Sequence, residues 1–453
     1  MIKFYFLFIA SLICSPNLLF AQSDLPEWGV FDSEELNMKE CSFDKNAGAV
    51  ILFDDAFSTY DDDYQLITTR RIRIKILNER GIDEGNIRIQ FYSGDDFEYI
   101  KDISAVTYIP NDNGSFLSYP LDRKSIFTEK ENEYFSSIKF AMPNVKAGSI
   151  IEYKYTSVKK HYGGLKNWEF QSYLPILKSC YLLQIIPGVE FAYFVQKKKT
   201  YPIVIRPKPD AGQIYFEMSD IPGLKEEPYM DAPKDYLQRV EFQFSGYTNT
   251  FGSKQDVNTT WRQLAYDLAT NKSFGGVLKK SLPQIDDIKN LVAKETTETG
   301  KLVAIYNYVR DNFTADGFYG IYADDGLKGV WEQRKGDASE INFILINLLQ
   351  TFNIETHPLL VAERDFGKID TLYPLVSRFN KTDAYAIADG TIYIMDATQK
   401  YCPAWLVPYP ILNTYAFLVD SKKYKLFRIE SNDQSYKNDI KLKAKIDEKG
   451  ILS

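Results

Sequence analysis

The chain has 453 residues, 25% of them charged and 45% hydrophobic, with 54 basic and 61 acidic residues and a net charge of −7. That apolar and aromatic content excludes a largely disordered chain. A single long apolar run, at the N-terminus, excludes a multi-span membrane protein, and a pI near 5.3 argues against phosphate-backbone binding as the main activity.

At roughly 150 residues per domain the length fits two or three domains. The 32 Tyr and 30 Phe favour strands. Met1–Ala21 reads as a secretory signal peptide: Lys3 is the positive end, Phe4 to Ile13 is an apolar run too short to span a bilayer comfortably, and Leu19-Phe20-Ala21 ends on a small residue before polar Gln22-Ser23-Asp24. The expected product is exported, periplasmic or cell-surface, with no transmembrane domain in the mature chain. It keeps Cys41, Cys180 and Cys402, an odd number at long spacings without a C-x-x-C. That pattern gives no disulfide framework and no zinc signature, and leaves one bridge plus one free thiol open. No cofactor or metal is expected.

Residues 45–250 read as a β-sandwich-like module. Arg70-Arg71-Ile72-Arg73-Ile74-Lys75-Ile76-Leu77 alternates charge with apolar residues and ends in the turn Asn78-Glu79-Arg80-Gly81, the pattern of a half-buried antiparallel strand. Ile87–Phe91, Gly148–Tyr155, Tyr181–Ile186, Phe191–Gln196 and Val240–Phe244 continue the series between Pro and Gly breaks. The acidic group Asp54, Asp55, Asp61, Asp62 and Asp63 lacks the spacing of a calcium loop and reads as a solvated turn.

From about Thr260 the period changes to that of helices, at Trp261–Thr270, Pro283–Lys294 and Lys301–Phe313, the last with a Leu302, Ile305, Tyr306, Val309, Phe313 stripe. A further helix is expected from Asp337 to about Phe352. Asp337 with Glu340 makes a capping box, and Ile341, Ile344, Leu345, Leu348 and Leu349 form its buried face. His357, beside Pro358, falls in the connection after it. Asp383–Ala388 and Thr391–Asp396 form a hairpin across the two-residue turn Asp389-Gly390. That turn sets Tyr385 against Ile394, Ile387 against Ile392, and Asp383 directly against Asp396. Two facing carboxylates are tolerated only if one holds a proton, a cation binds, or a Lys or Arg intervenes. Residues 421–453 look like the start of a further C-terminal β segment, with an Asp447-Glu448-Lys449-Gly450 turn.

The order helix, capped helix after Gly336-Asp337-Ala338, and hairpin ending in Asp396-Ala397-Thr398 resembles the transglutaminase-like superfamily within the papain-like thiol enzymes, over about residues 290–420. In that family the helix opens with a Gly-Asp-Cys-like step, the first strand with His-Ala-Trp, and the second ends in Asp-Pro-Thr. Residues 45–250, above all Phe140-Ala141-Met142-Pro143-Asn144-Val145-Lys146-Ala147-Gly148-Ser149-Ile150-Ile151-Glu152-Tyr153-Lys154-Tyr155, resemble the domain of unknown function that precedes such domains in exported bacterial proteins. The resemblance implies an α+β chain: an N-terminal antiparallel β-sandwich-like domain, then a transglutaminase-like α+β domain over 260–420.

The family's chemistry needs a thiolate favoured at a helix N-terminus, a His to take its proton, and an Asp to fix the imidazole. Here the three positions hold Ala338, Asp383 and Asp396, so nucleophile and base are missing. The expectation is a non-catalytic protein, binding or structural at the cell envelope. Two alternatives stand beside it. One is a hydrolase or acyltransferase with rearranged chemistry, using the Asp pair or a displaced thiol. The other is a module that binds an extended peptide or an envelope polymer such as a glycan, in a cleft lined by Trp331, Ser339, Tyr385 and Trp405.

Overall fold

A computed structural model describes residues 25–448 apart from 112–113, 132–134, 161–164, 209–210, 249–251, 257–259, 324–325, 372–373, 421, 431–438 and 446–447. The signal segment Met1–Ala21, His161, and Asp447, Lys449 and Gly450 of the expected last turn lie outside the described residues. Among the described residues no helix is long and apolar enough to cross a membrane.

The chain forms two compact units. The first runs to Lys225 and takes in Leu237–Asp256; the second consists of Glu226–Tyr236 and the chain from Val257 onward. The short excursion belongs to the second unit because its backbone is tied there: Ala232 N donates to Arg364 O, and the Asp235 carboxylate accepts from Lys368 N.

The first unit is built on an eight-stranded sheet in the order Val204–Lys208, Gln213–Ile221, Ile176–Gln184, Ala49–Tyr60, Leu66–Ile76, Ile150–Lys159, Glu98–Pro110, Phe116–Pro120. Every pairing is antiparallel except Ala49–Tyr60 with Ile176–Gln184, which is parallel. Ile72, Ile74 and Ile76 pack with Ile87, Ile89, Phe91, Ile138 and Phe140 of a three-stranded sheet, Asn86–Tyr92, Phe135–Ala141, Phe127–Lys130. A second core joins Tyr181, Leu183 and Phe216 of the large sheet to Trp168 and Val240 of another small sheet.

The alternating strand is real, over Leu66–Ile76, but it is not half-buried. Arg73 and Lys75 on its charged face are 0% and 1% exposed. The N-terminal segment covers that face, with Leu25, Phe31 and Leu36 packed against Phe53 and Leu52. The charges survive burial because each finds a partner: Arg73 bonds Glu35, Glu152 and the carbonyls of Glu27 and Val30, and Lys75 bonds the carbonyls of Leu36 and Gly148. Nor is Asp54 in a solvated turn. It lies buried within Ala49–Tyr60 and holds Arg70 through two bonds of 2.8 and 2.5 Å.

In the second unit, among the described residues, five α-helices surround a core that includes one face of an antiparallel five-stranded sheet. The sheet order is Thr391–Met395, Lys381–Ala388, Glu355–Val361, Tyr415–Leu418, Lys425–Arg428. The helix Ala338–Thr351 has eleven buried residues. The Asp337–Glu340 box caps it at both bonds, Glu340 N to Asp337 Oδ1 at 2.8 Å and Asp337 N to Glu340 Oε2 at 3.0 Å. His357 is not in a connection but in the strand Glu355–Val361, opposite Tyr385. Lys425–Arg428 is the edge strand of this same sheet, so that stretch does not begin a separate segment. Residues 439–445 form neither helix nor strand.

The chain is mostly β, 38% strand against 22% helix, in several sheets. The expected α+β class, an antiparallel β-sandwich-like domain followed by a transglutaminase-like α+β domain, is therefore corrected. Two physical reasons account for the difference. Strands buried on both faces, such as Leu359-Leu360-Val361, each 0% exposed, show no period-2 alternation and were not read as strands. In the first half the large sheet is mixed, because the chain from Leu66 to Ser172 returns to lay Ile176–Gln184 parallel beside Ala49–Tyr60.

Candidate functional site

The Asp389-Gly390 turn has positive φ at both residues, 47° and 77°, the geometry of a type I′ hairpin. It pairs Tyr385 with Ile394, Ile387 with Ile392 and Ala384 with Met395. The ladder ends there, and just beyond it Asp383 and Asp396 are both fully buried, each within hydrogen-bond distance of Asn342 Nδ2. What lets two carboxyls share this place is Lys381. It precedes Asp383 by two positions and so leans to the same side of the strand. Its Nζ lies 2.9 Å from Asp396 Oδ2, 3.6 Å from Asp383 Oδ1 and 2.7 Å from Glu363 Oε1.

The helix completes the cluster. Asn342 Nδ2 lies 3.1 Å from Asp396 Oδ1, 3.2 Å from Asp383 Oδ1 and 3.0 Å from Thr382 O, three acceptors for an amide with two hydrogens. Its Oδ1 accepts from Ala397 N at 2.9 Å. Asp396 Oδ1 also accepts from Thr398 N and Oγ1, at 3.0 and 2.7 Å. Asn380 donates to Glu363 Oε2 at 3.1 Å. Asp383 Oδ2 is buried with no hydrogen-bond partner.

These contacts divide the acids. Burial pushes the Asp383 carboxyl well above the usual range; Lys381 opposes this, and the charges of Asp396 and Glu363 add to it. Burial also acts on Asp396, but Lys381 and the Thr398 bonds outweigh it and hold that carboxyl below its usual value. Burial works against the Lys381 ammonium, and the three carboxyls more than offset this, so it stays protonated. The directions for Lys381, Asp396 and Asp383 fit an ammonium held between a carboxylate, Asp396, and a neutral acid, Asp383.

Ala338 stands at the first turn of the helix, 4% exposed. Burial pushes the capping Asp337 up to about 7 against the bonds it accepts from backbone N–H groups. Ser339 is fully buried; its hydroxyl donates to Gly320 O and accepts from Thr382 N at 2.8 Å. Of the other expected cleft residues, Trp331 is core, packed near Phe313 with Arg334 over its ring. Tyr385 packs edge-on against Phe427, and Trp405 is 69% exposed. None of the four lines the nearby cavity of about 450 Å³, whose wall includes Glu363, Asn380, Tyr319, Gly320 and Phe366.

The remaining nucleophile and base candidates are held elsewhere. Cys41, Cys180 and Cys402 are free thiols. Cys402 donates to Leu406 O at 3.2 Å, and burial, then the charges of Asp396 and Asp383, push its thiol up to about 11, a poor thiolate source. His357 has Nδ1 3.3 Å from Asp420 and Nε2 3.6 Å from Glu355. Among the described residues no group of three or more His, Cys, Asp or Glu has the arrangement to hold a metal ion. Lys381, Glu363 and Asn342 were missed by the sequence reading. The available signal was Lys381 itself, a cation two residues from an acid already known to need one.

Residues 62–225 match a domain of unknown function with solved structure, DUF3857. No curated protein matches the chain. Among solved structures, a candidate protease from Parabacteroides distasonis is 14% identical, with 84% of this chain and 72% of that one covered at a TM-score of 0.60. A candidate cysteine protease from Cytophaga hutchinsonii is 11% identical over 83% and 94% of the two chains, at 0.23, and a TGase is 9% identical over 50% and 52%, at 0.20. The first of these shares its fold with most of this chain.

Proposed function

We propose that the second unit is a transglutaminase-like module without catalysis, serving a binding or structural role in an exported protein of the cell envelope, periplasmic or surface-held. The observation that carries this reading is the Lys381 cluster. At the three positions where the family resemblance puts thiol, imidazole and acid, the chain has a buried Ala338 and two fully buried carboxyls closed around an ammonium. A group that must attack a substrate needs access and a base; here neither accompanies the helix N-terminus.

One observation favours the rearranged-chemistry reading: Asp383 is raised and Asp396 lowered, the split that an acid–base pair needs. Burial of both, with Lys381 and Asn342 held against Asp396 and Asp383 Oδ1, weighs against it. The test is to assay peptide hydrolysis and transamidation by the parent, by Asp396→Asn, and by the double variant Ala338→Cys/Asp383→His. No activity in the parent or in Asp396→Asn is the expected result, and activity confined to the double variant would show that a substrate path survives beside the cluster. Activity in the parent that disappears in Asp396→Asn refutes the non-catalytic reading.

A further inference from the structure

In the first unit, the small sheet that holds Trp168 and Val240 has the strand Val189–Gln196 as one edge. Among the described residues this strand pairs on one side only, with Arg239–Thr248. A strand so placed presents a row of backbone N–H and C=O groups, and folds usually blunt such an edge with Pro, Lys or a bulge. The neighbouring edge of the large sheet follows that rule: Val204–Lys208 carries Arg206, Pro207 and Lys208, and Pro207 has no N–H to give. Val189–Gln196 does so only at its start, where the register shifts between Glu190 and Phe191. Beyond that shift it runs Phe191-Ala192-Tyr193-Phe194-Val195-Gln196 with regular pairing, no Pro and no charge, a sequence of high strand preference.

Beside this edge lies a cavity of about 590 Å³, within the range of ligand sites. Leu183 and Ile214 of the large sheet, Pro207, Phe242 and the edge strand's own Phe191 and Tyr193 are among the residues that line it. Phe191 and Tyr193 are two positions apart and so share a face. Tyr193 meets Phe216 of the large sheet edge-on at 5.2 Å, yet it stays 44% exposed. The cavity therefore opens on the side toward which alternate residues of a strand added to this edge would point. Charge marks one end of the edge. The chain carries a net −7, but Lys197, Lys198 and Lys199 follow the strand directly and are all exposed. None of the three is in an ion pair among the described residues. The one acid of the strand, Glu190, already meets Lys254 at 3.0 Å.

We propose that Val189–Gln196 takes up an extended segment of a partner protein as an added antiparallel strand. The segment is apolar at the alternate positions that enter the cavity and acidic at its N-terminal end, which antiparallel pairing sets beside the three lysines. Main-chain bonds to the edge supply affinity, and the cavity supplies selectivity. A second copy of this chain is the poorer occupant. Its own Phe191 and Tyr193 already turn into its own cavity, so pairing two such edges would leave both cavities empty. This site is separate from the reading of the second unit and does not depend on it.

The experiment is fluorescence anisotropy of the full chain with the acetylated peptide Asp-Asp-Val-Thr-Phe-Thr-Val-Ser, labelled with fluorescein at its C-terminus. Saturable binding to one site is expected. N-methylation of one set of alternate residues removes the donors on one edge of the peptide and should weaken binding at least about tenfold. N-methylation of the other set should leave it nearly unchanged. The double variant Lys197→Glu/Lys199→Glu changes only exposed side chains, and it should weaken binding about tenfold, with less dependence on salt. No saturable binding overturns the proposal, as do equal effects of the two methylation patterns or binding unchanged in the lysine variant. Decanoate that competes as tightly as the peptide overturns it in favour of an acyl-chain site. A dimer in sedimentation that the peptide leaves intact overturns it in favour of a second copy.

Discussion

Each unit buries an ionic cluster, and the two clusters solve the same problem differently. In the first unit Arg71 and Arg73 face two acids, Glu35 and Glu152, and further guanidinium hydrogens go to the carbonyls of Pro26, Glu27 and Val30, while Arg73 Nε is buried without a hydrogen-bond partner. The rings of Phe31 and Phe53 lie 4.4 and 4.8 Å from the Arg73 carbon, so the charge is also held by π faces. In the second unit a single Lys381 serves Glu363, Asp383 and Asp396. A guanidinium fork can close a cluster by geometry, whereas an ammonium among three carboxyls leaves a charge over, and the remedy is a proton. The first cluster is a fastener for the segment that covers the sheet. The second is a plug in the place where chemistry was expected.

The comparison breaks most easily at Lys381. Lys381→Met removes the only cation described among three buried carboxyls, and the expected loss is about 3–5 kcal/mol, the cost of stranding buried charge. Urea denaturation of the full chain measures it. A loss below about 1 kcal/mol would mean that the acids are already neutral and that the cluster is not ionic. Arg73→Met should cost less, about 3 kcal/mol, because Arg71 still holds Glu152. It has a local signature: amides near Glu27–Leu36 should exchange hydrogen faster, since Arg73 bonds Glu27 O, Val30 O and Glu35. Unchanged exchange there would assign the covering of the sheet to the apolar contacts of Phe31 and Leu36 alone.

The legible parts of this molecule were those written in neighbouring residues. Asp337 and Glu340 announce the helix start, and Asp389-Gly390 fixes the hairpin register as far as Ala384–Met395, the rung beside Asp383 and Asp396. Tertiary partners were not legible. The charged face of Leu66–Ile76 looks solvent-facing because its cover, around Phe31 and Leu36, lies some forty residues upstream in the chain. Glu355–Val361 hid as a connection because Pro358 argues against an interior strand, yet it pairs on both sides. Trp331 and Ser339 were expected in a cleft and are buried in contacts of their own, because large aromatics and first-turn serines serve packing and capping as readily as binding.

The smallest effect tests where the extra proton sits. Asp383→Asn keeps the shape of a neutral Asp383, so at about pH 4, where both states hold most of the proton, it should change stability by less than about 1 kcal/mol. The two proteins should then diverge as pH rises. A carboxyl raised in the folded state, as burial raises Asp383, keeps its proton while the unfolded chain loses one above about pH 4. Folding then binds a proton, so the contribution is complete below that pH and is lost as pH rises toward the folded-state value. The parent should lose up to roughly one kcal/mol per pH unit relative to Asp383→Asn between pH 5 and 8. Burial also raises Glu35 in the Arg73 cluster, so the slope that belongs to Asp383 is read from the difference between the parent and Asp383→Asn. Urea denaturation of both proteins at several pH values reads the difference directly. Parallel curves would move the proton off Asp383, and with it the contrast between a cluster closed by arginine and one closed by an acid.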